Sequence, residues 1–293
     1  MRARIRTTLN VLARRMQHQF KSGIALFRGR DSRVERLRHP LPEGHRPQDL
    51  AAILLLFCGL SMVLLDAHLH EWLDVVPGGY SSFFGWVTDF GKSDWMLAVS
   101  GLVFLSLLAL NHETVSYRAR LGLHIVMTGA AFVFVSVATS GILVVILKWC
   151  IGRARPKLVE TMGPVHFDPF IFHGKFTSFP SGHSTSVAAC AVALALLMPS
   201  YRRFILVVGF WIAVSRIMVG AHYPSDVIAG VLFGGTVSYM VARWMARRGI
   251  GFKYTQNGNI IPAFYGNSSV KACRSLWGFV RSATSIPVKT KVA

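Results

Sequence analysis

The sequence predicts an all-α protein: a six-transmembrane-helix bundle with its active site at the outer, periplasmic face, preceded by an N-terminal basic amphipathic helix. Three observations predict this. The 293 residues are 52% hydrophobic and only 15% charged, with a mean hydropathy of +0.44, unlike an ordinary soluble domain. The apolar residues gather in six runs, roughly 50–67, 95–111, 122–148, 182–199, 203–220 and 225–245, and about 20 apolar residues make a helix long enough to cross a bilayer. The net charge of +19 is concentrated in the two tails. Cationic tails around greasy segments suit anionic lipid at the cytoplasmic surface, so no nucleic-acid partner is expected.

Residues 1–49 read as a basic cytoplasmic leader. Arginines recur from Arg2 to Arg46, and Ile5, Leu9, Leu12, Met16, Phe20, Ile24 and Phe27 fall at steps of three and four. That is one apolar stripe on a basic helix, suited to lying on a membrane surface. A partly disordered basic leader is the alternative. No apolar core of a signal peptide lies near residue 1, so a cleaved secretory signal is not expected.

Residues 50–248 carry the six spans, and basic loops orient them. The 68–94 loop holds Glu71, Asp74, Asp89 and Asp94 against Lys92, so it is placed outside. The 112–121 turn has Arg118 and Arg120, the 200–203 turn has Arg202 and Arg203, and the end of the last span with the tail beyond it has Arg243, Arg247, Arg248 and Lys253. All three are placed inside. The alternation puts residues 149–181 and 221–224 outside together, with Trp72, Trp86, Trp95, Trp149 and Tyr223 as an aromatic belt. Both termini are then cytoplasmic. Residues 249–293 form a tail with a hairpin signal at Asn257-Gly258 and an amphipathic patch of Val270, Cys273, Leu276, Trp277 and Val280. The four cysteines, Cys58, Cys150, Cys190 and Cys273, have no paired spacing, so neither a disulfide nor a cysteine metal site is expected.

Three polar clusters reach the outer face from distant parts of the chain. The first is Lys148 to Pro156. Arg155 follows Lys148 by seven residues, about two helical turns, and Pro156 stops the helix or bends the chain. Two cations there suit a dianion, while Arg153 and Lys157 read as spare charge. The second is Pro180-Ser181-Gly182-His183, opening an apolar helix. Ser181 is placed to cap it and Gly182 to admit a ligand near the backbone. The first N–H groups would face an anion, and His183 would donate a proton to a leaving oxygen.

The third cluster is Ser215-Arg216 through His222 to Asp226. Ionisable groups at such depth are expensive and mark function. Asp226 lies four residues from His222, so its carboxylate can orient the ring and stabilise its cation. Arg216 supplies a planar fork for phosphate. Pro224 is expected to begin the last span, with Asp226 in its first turn. Asp66, His68, His70 and Glu71 have the look of metal ligands at the end of the first span, but read better as a wet interfacial turn.

The order Lys-x6-Arg-Pro, Pro-Ser-Gly-His, Ser-Arg-x5-His-x3-Asp resembles the type 2 phosphatidic acid phosphatase superfamily over about residues 95–245. The resemblance implies a membrane lipid phosphatase working through a phosphohistidine. His222 would attack phosphorus while Asp226 holds its other ring nitrogen. His183 would protonate the departing oxygen. Lys148, Arg155, Ser181, Gly182 and Arg216 would bind phosphate oxygens, with no metal or other cofactor. The substrate is expected to be a lipid phosphate at the outer headgroup level: phosphatidic acid, phosphatidylglycerol phosphate, a polyprenyl diphosphate or lipid A. Transfer of the phosphate to a second lipid is the alternative reaction. A non-catalytic scaffold or transporter is the alternative class, disfavoured because transporters bind near the midplane. The phenylalanines of 157–179 are read as a lid at the interface. An inner membrane is the expected location.

Overall fold

A computed structural model describes residues 41–75, 77–110, 115–264 and 266–284, together with positions 10, 14, 17 and 21. Asn10, Arg14, Gln17 and Lys21 are helical and exposed. The apolar stripe expected on that leader lies outside the described residues.

All six apolar runs are helices. They are α1 (Pro47–Leu64), α3 (Ser93–Ala109), α4 (Tyr117–Ile151), α5 (Gly182–Leu197), α6 (Arg202–Met218) and α7 (Pro224–Arg247). The stretch 78–109 is apolar and helical enough to cross a membrane as a whole, and so are 47–68, α4 and α7. Helices α5 and α6 are shorter, at 16 and 17 residues. The acidic 68–94 loop is more structured than its composition suggests. It contains α2 (Gly78–Asp89), which packs on α6.

Helix α5 is the centre of the bundle, packed on α7, α6 and α4. Its sequence is rich in Ala and Ser, and Ser184 through Ala191 is a continuous buried stretch. Small residues let neighbouring backbones approach, which substitutes for a hydrophobic drive that lipid does not provide. Two glycines of α7, Gly230 and Gly234, face it. A Cβ on Gly234 would sit 2.1 Å from the Thr185 carbonyl oxygen, and one on Gly230 would sit 2.6 Å from that of Ser181. By contrast α1 turns Leu55, Leu56, Phe57, Leu60 and Val63 outward, as a lipid-facing helix does.

The tail packs against the bundle. The Asn257-Gly258 signal is realised as an antiparallel hairpin of β1 (Phe252–Tyr254) and β2 (Ile260–Pro262). Phe252 is buried edge-on against Phe132 of α4, with ring centroids 4.8 Å apart. The amphipathic patch lies on α8 (Asn267–Thr284), which packs on the start of α4. There a Cβ on Gly122 would overlap the Ala272 carbonyl.

Candidate active site

The polar clusters meet at one end of the bundle. Helix α4 delivers Lys148 in its last turn and ends at Ile151. The helix was expected to run on to Pro156. It stops five residues earlier, at Ile151, because Gly152 takes the left-handed conformation (φ +64°), and its amide bonds to the Lys148 carbonyl. Only glycine fits, since a Cβ there would lie 1.8 Å from the Asp168 carbonyl oxygen. Arg155 is therefore on a returning extended segment. That segment is stitched to the 157–179 loop by main-chain bonds: Asp168 to Gly152, Ala154 to His166, Arg155 to Lys175 and Ser178 to Arg153. The loop is a strap tied across the end of α4. Phe167, Phe170 and Phe172 point out of it, whereas Phe176 and Phe179 are half-buried.

Strap carbonyls aim the two cations. Lys148 Nζ donates to the Thr177 carbonyl at 2.7 Å. Arg155 Nε donates to the Gly174 carbonyl at 3.1 Å, and its Nη2 to Thr177 Oγ1 at 3.3 Å. Ser181 caps α5 as expected. Its Oγ accepts from the Ser184 amide at 3.4 Å, and its own amide donates to the Asp226 carbonyl at 2.9 Å, which locks the two motifs together. Gly182 and His183 open α5. Gly182 faces the Lys148 side chain, and a cavity of about 210 Å³ lies against Lys148, Gly182 and His183 beneath residues 91–94.

Arg216, near the end of α6, is held from α2: its Nη1 donates to Thr88 Oγ1 at 2.9 Å, while its buried Nε has no partner among the described residues. Its charge and that of Lys148 both bear on His222, and Arg155 bears on both. Lys148 and Arg216 thus lie near enough to His222 to act on its charge, and all three predicted cations act on His183. Pro224 begins α7 and Asp226 sits in its first turn, as the sequence reading held.

His222 is buried and lies 3.4 Å from Asp226 through Nδ1 and Oδ2, close enough for a charge contact but not aligned as a hydrogen bond. Burial pushes its pKa down to about 4, against the pull of Asp226. The ring is therefore neutral at physiological pH, with its lone pair free, as a nucleophile requires.

Three readings are corrected here. Arg153 is not spare charge: it is fully buried, with Nη1 2.7 Å from Asp226 Oδ1 and Nη2 2.7 Å from Asp66 Oδ2. Asp66 is not part of a wet turn, since it is buried and also accepts from the amide and hydroxyl of Ser225, while His68 and Glu71 stay exposed and hydrogen-bonded to each other. Tyr223 is not in an aromatic belt: its ring is buried under the Arg153 guanidinium, 4.3 Å away. Trp72, Trp86, Trp95 and Trp149 are exposed, and Lys157 remains an exposed charge.

Beyond these, the sequence reading missed Thr88, Thr177, Ser178 and Ser225. Nothing in their local sequence marks them. Asp66 and Arg153 did carry a signal, being ionisable groups just beyond the ends of apolar helices, where stray charge has no cheap place.

Comparison with known proteins agrees with the motif order. The description "PAP2 superfamily" matches residues 129–250. The chain is 41% identical over 199 residues to a lipid A 1-phosphatase of Rhizobium etli, covering 68% of this chain and 85% of that one. It is 40% identical over 199 residues to a lipid A 1-phosphatase of Rhizobium johnstonii, covering 68% and 81%. Among solved structures, a transmembrane PAP2-type phosphatidylglycerolphosphate phosphatase from Bacillus subtilis is 19% identical, with a TM-score of 0.46 over 66% of this chain and 94% of that one.

Proposed function

We propose, since this chain belongs to the PAP2 superfamily and is a membrane phosphatase, that it removes a phosphate from lipid A or a closely related glycolipid at the outer face of the inner membrane. The observation that carries the proposal is the convergence of Lys148, Arg155 and Arg216 with His183 and His222 at one end of the bundle. The substrate choice follows the two relatives that match most of this chain.

His222 attacks phosphorus through Nε2 while Asp226 faces Nδ1 and stabilises the cation that forms. The bond from phosphorus to the lipid oxygen breaks; His183, whose pKa burial and the charges of Arg216 and Lys148 push down to about 4 in the free site, takes up a proton once the phosphate offsets those cations and gives it to that oxygen. Water then attacks the phosphohistidine, gives a proton back to His183 and releases inorganic phosphate. Ser181 and Gly182 bring helix N–H groups to the phosphate, and Lys148, Arg155 and Arg216 neutralise it. Phosphoryl transfer needs little beyond such positioning and charge. Because the cations are protein side chains, the reaction requires no metal. In this reading the catalytic unit is 50–248, made of six spans, and the 1–49 leader and 249–293 tail lie on the cytoplasmic side with both termini.

The test uses full-length protein purified in detergent, treated with EDTA and offered lipid A, undecaprenyl diphosphate and phosphatidylglycerol phosphate. Free phosphate from lipid A, lost in His222→Ala, is the expected result. No release from lipid A overturns the substrate assignment. Phosphate appearing on a second lipid overturns hydrolysis, and loss of activity with EDTA overturns the metal-free mechanism.

A further inference from the structure

Asp226 makes more contacts than the orientation of one imidazole requires. Its Oδ2 accepts from Ser178 Oγ at 2.5 Å and from the Tyr223 amide at 3.0 Å, and faces His222 Nδ1. Its Oδ1 is taken by Arg153 Nη1. The other end of Arg153 is taken by Asp66, with the Pro164 carbonyl also on Nη2. Ser225 closes the circuit, accepting from Arg153 Nη1 at 2.6 Å while its hydroxyl donates to Asp66 Oδ2 at 2.5 Å. Both carboxylates and the guanidinium are fully buried.

We infer that Arg153 and Asp66 are positioning residues for the His222–Asp226 pair, and that the end of α1 is thereby part of the active site. The inference rests on the phosphatase reading above. Three physical points support it. A planar guanidinium offers two parallel donor edges, so one Arg can fix two carboxylates at a set separation, which Lys cannot do. With Arg153 on Oδ1, the carboxylate of Asp226 can turn only if a buried ion pair breaks, and leaving such a charge unpaired is costly. The charge count also matters. One cation between two carboxylates leaves the cluster net negative, so Arg153 clamps Asp226 without cancelling the field that favours a cationic, phosphorylated imidazole. Asp66 restores the charge that Arg153 would otherwise quench.

The chain geometry explains why α1 has to carry this group. Asp66 follows α1 directly and reaches Arg153 across 87 positions of sequence and Ser225 across 159. Three separate segments of the chain are thus joined beneath the imidazole, out of reach of the substrate.

The experiment is kinetic, on purified full-length protein with lipid A as substrate. Asp66→Asn keeps the shape of the group but removes its charge. Arg153→Lys keeps a charge but cannot bridge. Each is expected to lower kcat about tenfold or more with KM held within about twofold, the scale of losing an outer partner that orients a functional side chain. Each is also expected to add little to the loss in Asp226→Asn, because groups acting through one residue are non-additive. A purely structural role would instead multiply with Asp226→Asn and lower the unfolding temperature in proportion. Wild-type kcat in Asp66→Asn, or multiplying losses in either double variant, overturns the inference alone. A wild-type protein that releases no phosphate from any lipid overturns the phosphatase reading, and this inference with it.

Discussion

Replacing Gly234 with alanine should disable the enzyme from a position that touches no substrate. The added Cβ would lie 2.1 Å from the Thr185 carbonyl oxygen, with the Thr185 carbonyl carbon at 2.9 Å and its Cα at 3.1 Å. All three are backbone atoms of α5, so no side chain can rotate away. An ordinary contact begins near 3.4 Å, so α5 and α7 must part locally by about 1.3 Å, the difference between those distances. Helix α5 carries Ser181 and His183, while α7 carries Asp226 and is preceded by His222. The Ser181 amide to Asp226 carbonyl bond spans the gap at 2.9 Å. A misplacement of about 1 Å between catalytic groups costs on the order of 100-fold in rate, about 2.7 kcal/mol of barrier. Overpacking of this kind also destabilises by about 1–3 kcal/mol. The neighbour supplies the control. A Cβ on Gly235 meets only Val192 Cγ2, at an ordinary 3.5 Å, so Gly235→Ala should keep activity within about twofold and gain up to about 1 kcal/mol from helix propensity. Phosphate release from lipid A in detergent, with tryptophan-monitored unfolding, reads both quantities. Gly234→Ala protein with wild-type turnover would refute the claim that the α5–α7 contact sets the site.

Two further outcomes follow from the geometry. The His222 ring has its pKa pushed down to about 4 from an ordinary 6.5, so between those values the unfolded chain binds a proton that the folded one does not. Stability is then fully present above pH 6.5 and falls as pH drops from 6.5 toward 4. The unfolding midpoint of wild type should decline more steeply in that window than that of His222→Gln, and equal slopes would refute the shift. Thr88→Val removes the acceptor that aims Arg216. A lost hydrogen bond of about 1 kcal/mol should lower kcat/KM roughly fivefold, and unchanged Michaelis–Menten parameters would show that Arg216 is held in place without it.

The parts legible in the sequence were those written locally. Apolar runs gave the helices, and the caps at Ser181 and Pro224 followed from the residues that begin them. The Asn257-Gly258 turn gave the hairpin. The motif residues could be grouped on one side because charge in the loops fixes which ends face the same way. What escaped was contact between distant segments. Arg153 sits two residues from Arg155 and looks like surplus cation until the fold buries it between two carboxylates. Asp66 looks like an interfacial acid until the end of α1 is seen beneath the last span. Gly152 was overlooked as a helix terminator because Pro156 offered a more conspicuous stop, yet the strap beyond Gly152 left no room for a side chain.

The strap divides labour along its own length. Its main chain is committed to holding Lys148, Arg155 and Arg153 through carbonyls and amides, which any residue supplies equally well. Phe167 lies 5.6 Å from the Arg153 guanidinium and belongs to that scaffolding, but Phe170 and Phe172 do not. Bulk and greasiness at 170 and 172 can therefore be traded without disturbing the groups that do the chemistry, so the outer surface of the strap can be repainted on its own.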